Sequence, residues 1–159
     1  MDQHTKFEKP RGVSKISIRH GYAQVHLSGW GKERASQRLE AVRSLTKAGI
    51  SVDFVKLTPS GMSFLVRDDL SDALRRVLNQ MDVHHSIRRP CSMVTAHAVN
   101  IRDEEGLVAR IMKAAIDGGF QVHHISDMHD RALLVVDTGE AEQLAAHLES
   151  ELQAVTHEN

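Results

Sequence analysis

Apolar and polar residues alternate in two short runs near the N-terminus, which predicts two short strands. A turn at His20-Gly21 is expected between them. The apolar positions of these runs are Ile16, Ile18, Ala23, Val25 and Leu27. A helix is then predicted from about Glu33 to Ala48, because apolar residues recur at helical spacing and Gly49 suits the position after a helix end. The expected apolar face of this helix is Ala35, Leu39, Val42 and Leu45.

The next segment predicts two strands, a helix and a final strand. Pro59-Ser60-Gly61 is a turn between the two strands, and Ser71 is expected to cap the helix. The apolar positions of the two strands are Ile50, Val52 and Phe54 in the first and Met62, Phe64 and Val66 in the second. Those of the helix are Ala73, Leu74, Val77, Leu78 and Met81. In the last strand the alternating positions are Val83, His85 and Ile87. Residues 21–90 therefore have the order strand–helix–strand–strand–helix–strand.

The chain then repeats itself with a shift of 70 positions. Residues 48–55 align with residues 118–125, and residues 62–66 align with residues 132–136. The same shift places Leu74 and Leu78 on Leu144 and Leu148. A repeat of this length is one small supersecondary unit with its own core.

The second copy is one strand short. Asp103 is expected to cap its first helix, and a continuous apolar run at residues 133–136 predicts a strand buried on both faces. The other apolar positions are Val94, Ala96 and Ala98 in its first strand, Leu107, Ile111 and Ala115 in its first helix, Phe120 and Val122 at the start of its second strand, and Ala141, Leu144, Ala145, Leu148 and Leu152 in its last helix. No alternating segment follows, whereas residues 13–20 are unassigned.

Residues 13–20 can supply the missing strand, so that the first copy is an insertion in the second. The expected domains are a first unit at 21–90 and a second unit formed by 13–20 plus 91–152, with flexible tails at 1–12 and 153–159. Each unit has the split βαβ, ferredoxin-like order βαββαβ. The predicted fold class is α+β, with antiparallel sheets that carry helices on one face.

Composition narrows the possible functions. Of 159 residues 41% are apolar, which is enough for a packed core. No run is long enough to span a membrane and no signal peptide is visible, so a soluble cytoplasmic protein is expected.

Residues 1–90 carry 16 basic and 9 acidic side chains, whereas residues 91–159 carry 4 and 12. Because only 4% of residues are aromatic, nucleic acid is not an expected partner. The asymmetry is either an ordinary solvated surface or an attraction between opposite halves of two chains.

The residue types that carry catalysis or bind metals do not form a recognisable motif. The 11 histidines include His84-His85 and His123-His124, but adjacent residues on a strand point to opposite faces, so neither pair is expected to chelate an ion. The single cysteine, Cys91, is expected to be a small buried hydrophobe. Gly31-Lys32 alone does not make a phosphate-binding loop. We therefore expect no catalytic residue, no metal and no cofactor.

Three runs of residues and the order of elements resemble the tandem ACT regulatory region of aspartokinase, over about residues 13–152. The run 48–55, Ala-Gly-Ile-Ser-Val-Asp-Phe-Val, is similar to that family's A-G-I-N-V-D-M-I. Residues 62–66 followed by 69–74 are similar to its I-S-F-T-V and D-L-x-x-A-L, and residues 106–112 to its P-G-V-A-A-K-M-F. The chain departs from the pattern at Ser51, where the family has Asn, and at Ala35-Ser36 and Glu105-Gly106, where Pro-Gly is usual; a kinase domain is absent from the sequence.

The resemblance implies a free-standing regulatory subunit that binds a small amino acid such as lysine or threonine. It assigns an effector role to Asp53 and Ser51. The loop with Trp30, Gly31 and Lys32 leads from the first strand of this copy into its first helix, and these three residues are expected to bind the effector as well. Backbone N–H groups at a helix N-terminus favour a carboxylate, and an acidic side chain favours an ammonium group. The alternative for these residues is a plain turn and a local ion pair at Asp53.

The second copy is not expected to bind an effector. Its equivalent loop, residues 101–105, carries three acidic side chains, and His123 stands in place of Asp53. The expected partners are a second copy of the chain and an enzyme of amino-acid biosynthesis. The alternative function is a structural or oligomerisation module that has lost its ligand.

Overall fold

Six strands and four helices are present in the computed structural model, which describes residues 12–99, 101 and 105–152. The strands are β1 (Val13–Ser28), β2 (Asp53–Thr58), β3 (Gly61–Arg67), β4 (His84–Ala98), β5 (His124–Asp127) and β6 (Arg131–Asp137). The helices are α1 (Arg34–Lys47), α2 (Ser71–Asn79), α3 (Leu107–Asp117) and α4 (Ala141–Leu152). The expected tails, apart from Gly12, and the expected cap Asp103 lie outside the described residues.

The chain divides into two compact units. The inserted unit is His20–Ser92, and the flanking unit is formed by residues up to Arg19 and from Met93 onward. The strand order is β2-β3-β1-β4 in the inserted unit and β1-β4-β6-β5 in the flanking unit. The pairs β1–β3, β2–β3 and β5–β6 are antiparallel. This is the ferredoxin-like arrangement in both units, so the predicted fold class is confirmed.

Each unit has its own hydrophobic core. In the inserted unit, one face of β1 and β3 packs against α1 and α2, with Phe64, Leu74 and Leu78 fully buried. In the flanking unit, β4 and β6 pack against α3 and α4, with Leu144 and Leu148 fully buried. Each such leucine contributes about 1.5–3 kcal/mol through burial. The elements β3 and β6, and the 3-10 turns Asp68–Leu70 and Thr138–Glu140 that follow them, begin and end 70 residues apart.

Two predicted chain breaks are absent from the strands. The turn expected at His20-Gly21 is wrong, since β1 is one strand of 16 residues. Gly21 has φ 86°, a left-handed backbone that glycine adopts without strain, and the strand continues on both sides of it. The two strands expected around Val83–Ile87 and Val94–Ala98 are likewise one strand, β4.

The predicted apolar face of α1 is also wrong. Leu45 is buried, as expected, but Leu39 is 49% and Val42 43% exposed. The inward stripe is instead formed by Arg38, Ala41 and Leu45, with Ala41 fully buried. Both stripes have helical spacing, and an arginine whose stem packs inward is not visible in an apolar pattern.

Element starts differ from the predictions by a few residues. Ser71 does not cap α2: it is the first residue of that helix, and Leu70 occupies the cap position. Gly106, with φ 75°, precedes α3. The second strand of each unit begins later than expected, at Asp53 and at His124, because the apolar residues before it pack on the core without pairing. The run Ala132–Val136 is buried throughout, which confirms a strand buried on both faces.

Candidate functional site

The five residues proposed as an effector site fall into two groups in the inserted unit. Trp30, Gly31 and Lys32 follow β1, whose last residue opposes Gly61. Ser51 precedes β2, and Asp53 begins it, opposite Leu65. Gly61 and Leu65 are four residues apart along β3, which is about 13 Å at 3.3 Å per residue. The inserted unit alone therefore does not bring the two groups together.

In the loop group, the backbone N–H of Gly31 donates a hydrogen bond of 2.8 Å to Oε1 of Gln37. The donor that was expected to meet a ligand carboxylate thus has an acceptor within the chain. Trp30 packs against the core of the inserted unit, and its indole N–H is buried without an acceptor in the described part of the chain. Lys32 is exposed.

The N-terminal turn of α1 is held against the turn between β2 and β3. Arg34 donates to the carbonyl oxygen of Pro59 at 3.0 Å. Arg38 donates to the carbonyl oxygens of Thr58 and Gly61. Among the described residues no side-chain hydrogen bond caps this helix, so its first N–H groups lack a side-chain acceptor there.

The second group is shaped by an irregularity in β2. Lys56 opposes Ser63, and a regular antiparallel ladder continued from that pair would place Asp53 opposite Val66. Asp53 instead opposes Leu65, because one extra residue is accommodated between Asp53 and Lys56. A shift of one residue moves a side chain to the other face of the sheet. The side chain of Asp53 therefore lies on the face of the sheet opposite the helices. On the helix-packed face its carboxylate would lose its hydration.

Phe54, next to Asp53 in this bulge, has an unfavourable backbone conformation. Its φ is 53°, and within the described residues it is the one non-glycine residue with positive φ. A left-handed conformation is unfavourable for a residue with a Cβ, and such strain clusters at functional sites. The equivalent strand of the flanking unit, β5, pairs in a regular register from His124 to Asp127.

Two residues that the sequence did not single out lie on the same face as Asp53. Tyr22 opposes Arg67 in the β1–β3 ladder, and Arg67 is two residues beyond Leu65 on β3, diagonal to Asp53. The guanidinium Cζ of Arg67 lies 5.2 Å from the centroid of the Tyr22 ring, a cation–π contact. The 70-residue repeat aligns positions 53 and 67 with His123 and Asp137, but only the strand pairing shows that Arg67 lies next to Asp53.

In the flanking unit the aligned side chains are bonded to each other. His123 Nε2 lies 3.0 Å from Asp137 Oδ1, and the side chain of His123 is only 6% exposed. The backbone N–H of His123 donates to the carbonyl oxygen of Val135 at 2.8 Å. Residues 102–104 of the acidic loop in this unit lie outside the described residues. The absence of an effector site in this unit stays a prediction.

Other chemistry has little support in the described residues. No group of three His, Cys, Asp or Glu side chains is arranged to hold a metal ion there. Cys91 is fully buried, and its thiol donates to the carbonyl oxygen of Arg88 at 3.3 Å. Across residues 12–99, 101 and 105–152, no helix is long and apolar enough to cross a membrane.

Comparison with curated proteins gives one similarity that bears on the family. The chain is 27% identical to aspartokinase 1 of Bacillus subtilis over 97 residues. The alignment covers 61% of this chain and 24% of the relative, so the chain spans about a quarter of that protein's length. No family model matches the sequence.

Solved structures match most of the described chain. The regulatory subunit of aspartate kinase from Thermus flavus superposes with a TM-score of 0.76 at 18% identity, covering 89% of this chain and 99% of that one. The ligand-free regulatory subunit from Thermus thermophilus gives 0.74 at 20% identity with the same coverage. Aspartate kinase from Clostridium acetobutylicum gives 0.78 at 12% identity, covering 95% of this chain and 37% of that one.

The fold is that of a tandem ACT module, with two ferredoxin-like units of which one is inserted in the other. In particular, the chain resembles the regulatory subunits and C-terminal regulatory domains of aspartate kinase. The resemblance stated from the sequence motifs is confirmed at the level of fold.

Proposed function

We propose that this chain is a non-catalytic regulatory protein that binds a small amino acid and transmits its occupancy to a partner. The proposal rests on Asp53. Its carboxylate is exposed, it forms no ion pair with any described residue, and it stands in the segment that resembles the aspartokinase signature. A carboxylate in that state can bind the α-ammonium group of an amino acid through charge-assisted hydrogen bonds.

The proposed partners are a second copy of the chain and an aspartokinase-like enzyme of amino-acid biosynthesis, and the proposed location is the cytoplasm. Two supports are the match to isolated regulatory subunits over 99% of their length and the similarity to an aspartokinase. Regulation would require that the amino acid binds one arrangement of the assembly more tightly than another. The separation of Asp53 from Trp30, Gly31 and Lys32 within one unit favours a site completed by a second chain.

A thermal-shift screen of the twenty amino acids tests the proposal, with lysine and threonine as the first candidates. A ligand at 100 times its dissociation constant stabilises the fold by about 2.7 kcal/mol. For a chain of this size the midpoint would rise by roughly 5–10 °C. The matched controls are the N-acetyl derivatives, which lack the ammonium group that Asp53 would bind.

A shift for one amino acid and none for its N-acetyl derivative supports the proposal. The alternative function, a structural module without a ligand, predicts no shift for any amino acid. That alternative is favoured by Ser51, which lacks the amide of the asparagine usual in the family pattern.

A further inference from the structure

We infer that Arg67 is the second anchor of the amino-acid site, binding the α-carboxylate while Asp53 binds the α-ammonium group. This inference rests on the proposed function and adds the recognition of the ligand's other charged end. Neither the family signature nor the loop after β1 includes this residue.

The strand register brings Arg67 into reach of a ligand held by Asp53. Asp53 opposes Leu65, and Arg67 is two positions further along β3 on the same face. Diagonal neighbours of this kind have Cα atoms about 7–8 Å apart. The bulge at Phe54 produces this placement, because the regular register would turn Asp53 to the opposite face. The strained backbone and the placement of the two charges therefore have one explanation.

Asp53 and Arg67 carry opposite charges but do not pair with each other. No ion pair of either residue exists within the described part of the chain, and both side chains are exposed. Arg67 rests on the ring of Tyr22, which is only 2% exposed, and its guanidinium lies close to Gly21. A guanidinium that contacts an aromatic ring can still donate from its edge, and the planar fork of arginine binds a carboxylate through two parallel hydrogen bonds. A zwitterion bridging the two residues would satisfy both charges.

In the flanking unit the two aligned positions carry a histidine and an aspartate in place of the aspartate and the arginine. His123 stands at the position of Asp53, Asp137 stands at the position of Arg67, and the two are hydrogen bonded at 3.0 Å. In this unit the two side chains are therefore hydrogen bonded to each other, whereas Asp53 and Arg67 are not. The comparison predicts one amino-acid site per chain, in the inserted unit.

Titration calorimetry on the full chain tests the role of Arg67. The probes are the amino acid that gives the largest thermal shift in the twenty-member panel and its α-carboxamide, which lacks the carboxylate. Arg67→Gln should weaken binding of the amino acid roughly 10- to 100-fold, the range for a hydrogen bond to a charged group. The same variant should change binding of the α-carboxamide little, because the group that Arg67 recognises is missing. Arg75→Gln, an exposed arginine of α2, is the matched control and should bind like the wild type.

Two further variants keep the test decisive if Arg67→Gln folds poorly. Arg67→Lys retains the charge without the fork and should bind with intermediate affinity. The double variant D53H/R67D gives the inserted unit the residues of the flanking unit and should lose binding while it stays folded by circular dichroism. Equal affinity of Arg67→Gln, Arg75→Gln and wild type overturns the role of Arg67 and leaves the proposed function standing. No binding of any amino acid to the wild type overturns both.

Discussion

Gly49 and Gly119 lie 70 residues apart in the sequence and end α1 and α3 with the same backbone conformation. Their φ angles are 72° and 80°. In each case the N–H group of the following residue, Ile50 or Phe120, donates back to a carbonyl oxygen in the last turn of the helix, at 3.0 and 3.2 Å. This is the Schellman arrangement, in which a left-handed residue satisfies carbonyl groups that the helix end would leave open.

Alanine at either glycine should destabilise the protein through backbone strain alone. At both positions an added Cβ would meet no atom within 4 Å, so no steric clash contributes. A residue with a Cβ in the left-handed region costs about 1–2 kcal/mol. Gly139→Ala is the control, since Gly139 has equal space and no positive φ. Urea unfolding should rank Gly139→Ala at or above the wild type and the other two variants below it; equal stability of all three would contradict the explanation.

These two glycines also show why the repeat could be predicted from the sequence. Gly at a fixed place after an apolar stripe marks a helix end, and the same spacing recurs after 70 residues. Apolar residues alternate in β3 because one face of that strand packs on the helices, and they are continuous in β6 because both faces of that strand are buried. Patterns that repeat in this way predicted the order of elements and the insertion of one unit in the other.

The features that the sequence did not predict depend on contacts between segments. Arg38 takes an inward position on α1 because the carbonyl oxygens of Thr58 and Gly61 accept its hydrogen bonds. The bulge at Phe54 depends on the register of β2 against β3. A positive φ at a residue other than glycine cannot be predicted from the residue type. The exposed Asp53 was anticipated by resemblance, whereas the neighbouring Arg67 emerges only when the strands are paired.

Asp53→Ala should abolish amino-acid binding and leave the fold nearly as stable as before. An exposed carboxylate without an ion pair adds little to stability, but it would anchor the ammonium group of the ligand. Calorimetry measures the affinity, and urea unfolding measures the stability. Asp82→Ala, at another exposed acid of the inserted unit, is the control. Unchanged affinity in the Asp53 variant would remove this residue from the site.

His97 should make the stability of the protein depend on pH in mildly acidic solution. Burial lowers the pKa of His97, and the charges of Arg131 and Lys15 act in the same direction. The unfolded chain, with a histidine pKa of about 6.5, then binds a proton more readily than the folded protein. Stability is therefore complete above about pH 6.5 and falls as the pH decreases toward the lower folded value.

Urea unfolding between about pH 7.5 and 5 checks this dependence. His97→Gln should flatten the decline of the free energy of unfolding, whereas His129→Gln, at an exposed histidine, should keep it. The carboxyl groups of Asp68 and Asp130, whose pKa values are lowered from 3.8 chiefly by hydrogen bonds from Arg89 and Arg131, do not titrate in this range. A decline of equal slope in both variants would assign it to other groups.

Leu74→Ala and Leu144→Ala should destabilise the protein by similar amounts. The two leucines are related by the repeat, and both are fully buried between a helix and the sheet of their own unit. Truncation of a buried leucine to alanine costs about 2–5 kcal/mol, with the cavity that remains setting the value. Leu57→Ala is the control, because Leu57 is 58% exposed. A large effect in only one unit would show that the two cores do not contribute equally to the measured unfolding.

Association of the chain with itself should depend on salt in a particular way. The first 90 residues carry 16 basic and 9 acidic side chains, and the remaining residues carry 4 and 12, so two chains can approach with opposite charges facing each other. A two-fold dimer is closed, because each chain offers both surfaces once. Charges of this kind accelerate encounter more than they add to final affinity.

Raising the ionic strength from about 0.01 to 1 M shortens the screening length from about 30 to 3 Å and should slow association more than it weakens the dimer. Sedimentation velocity with stopped-flow mixing across that salt series separates the two effects, and a monomer at micromolar concentration in low salt would contradict the proposed self-association.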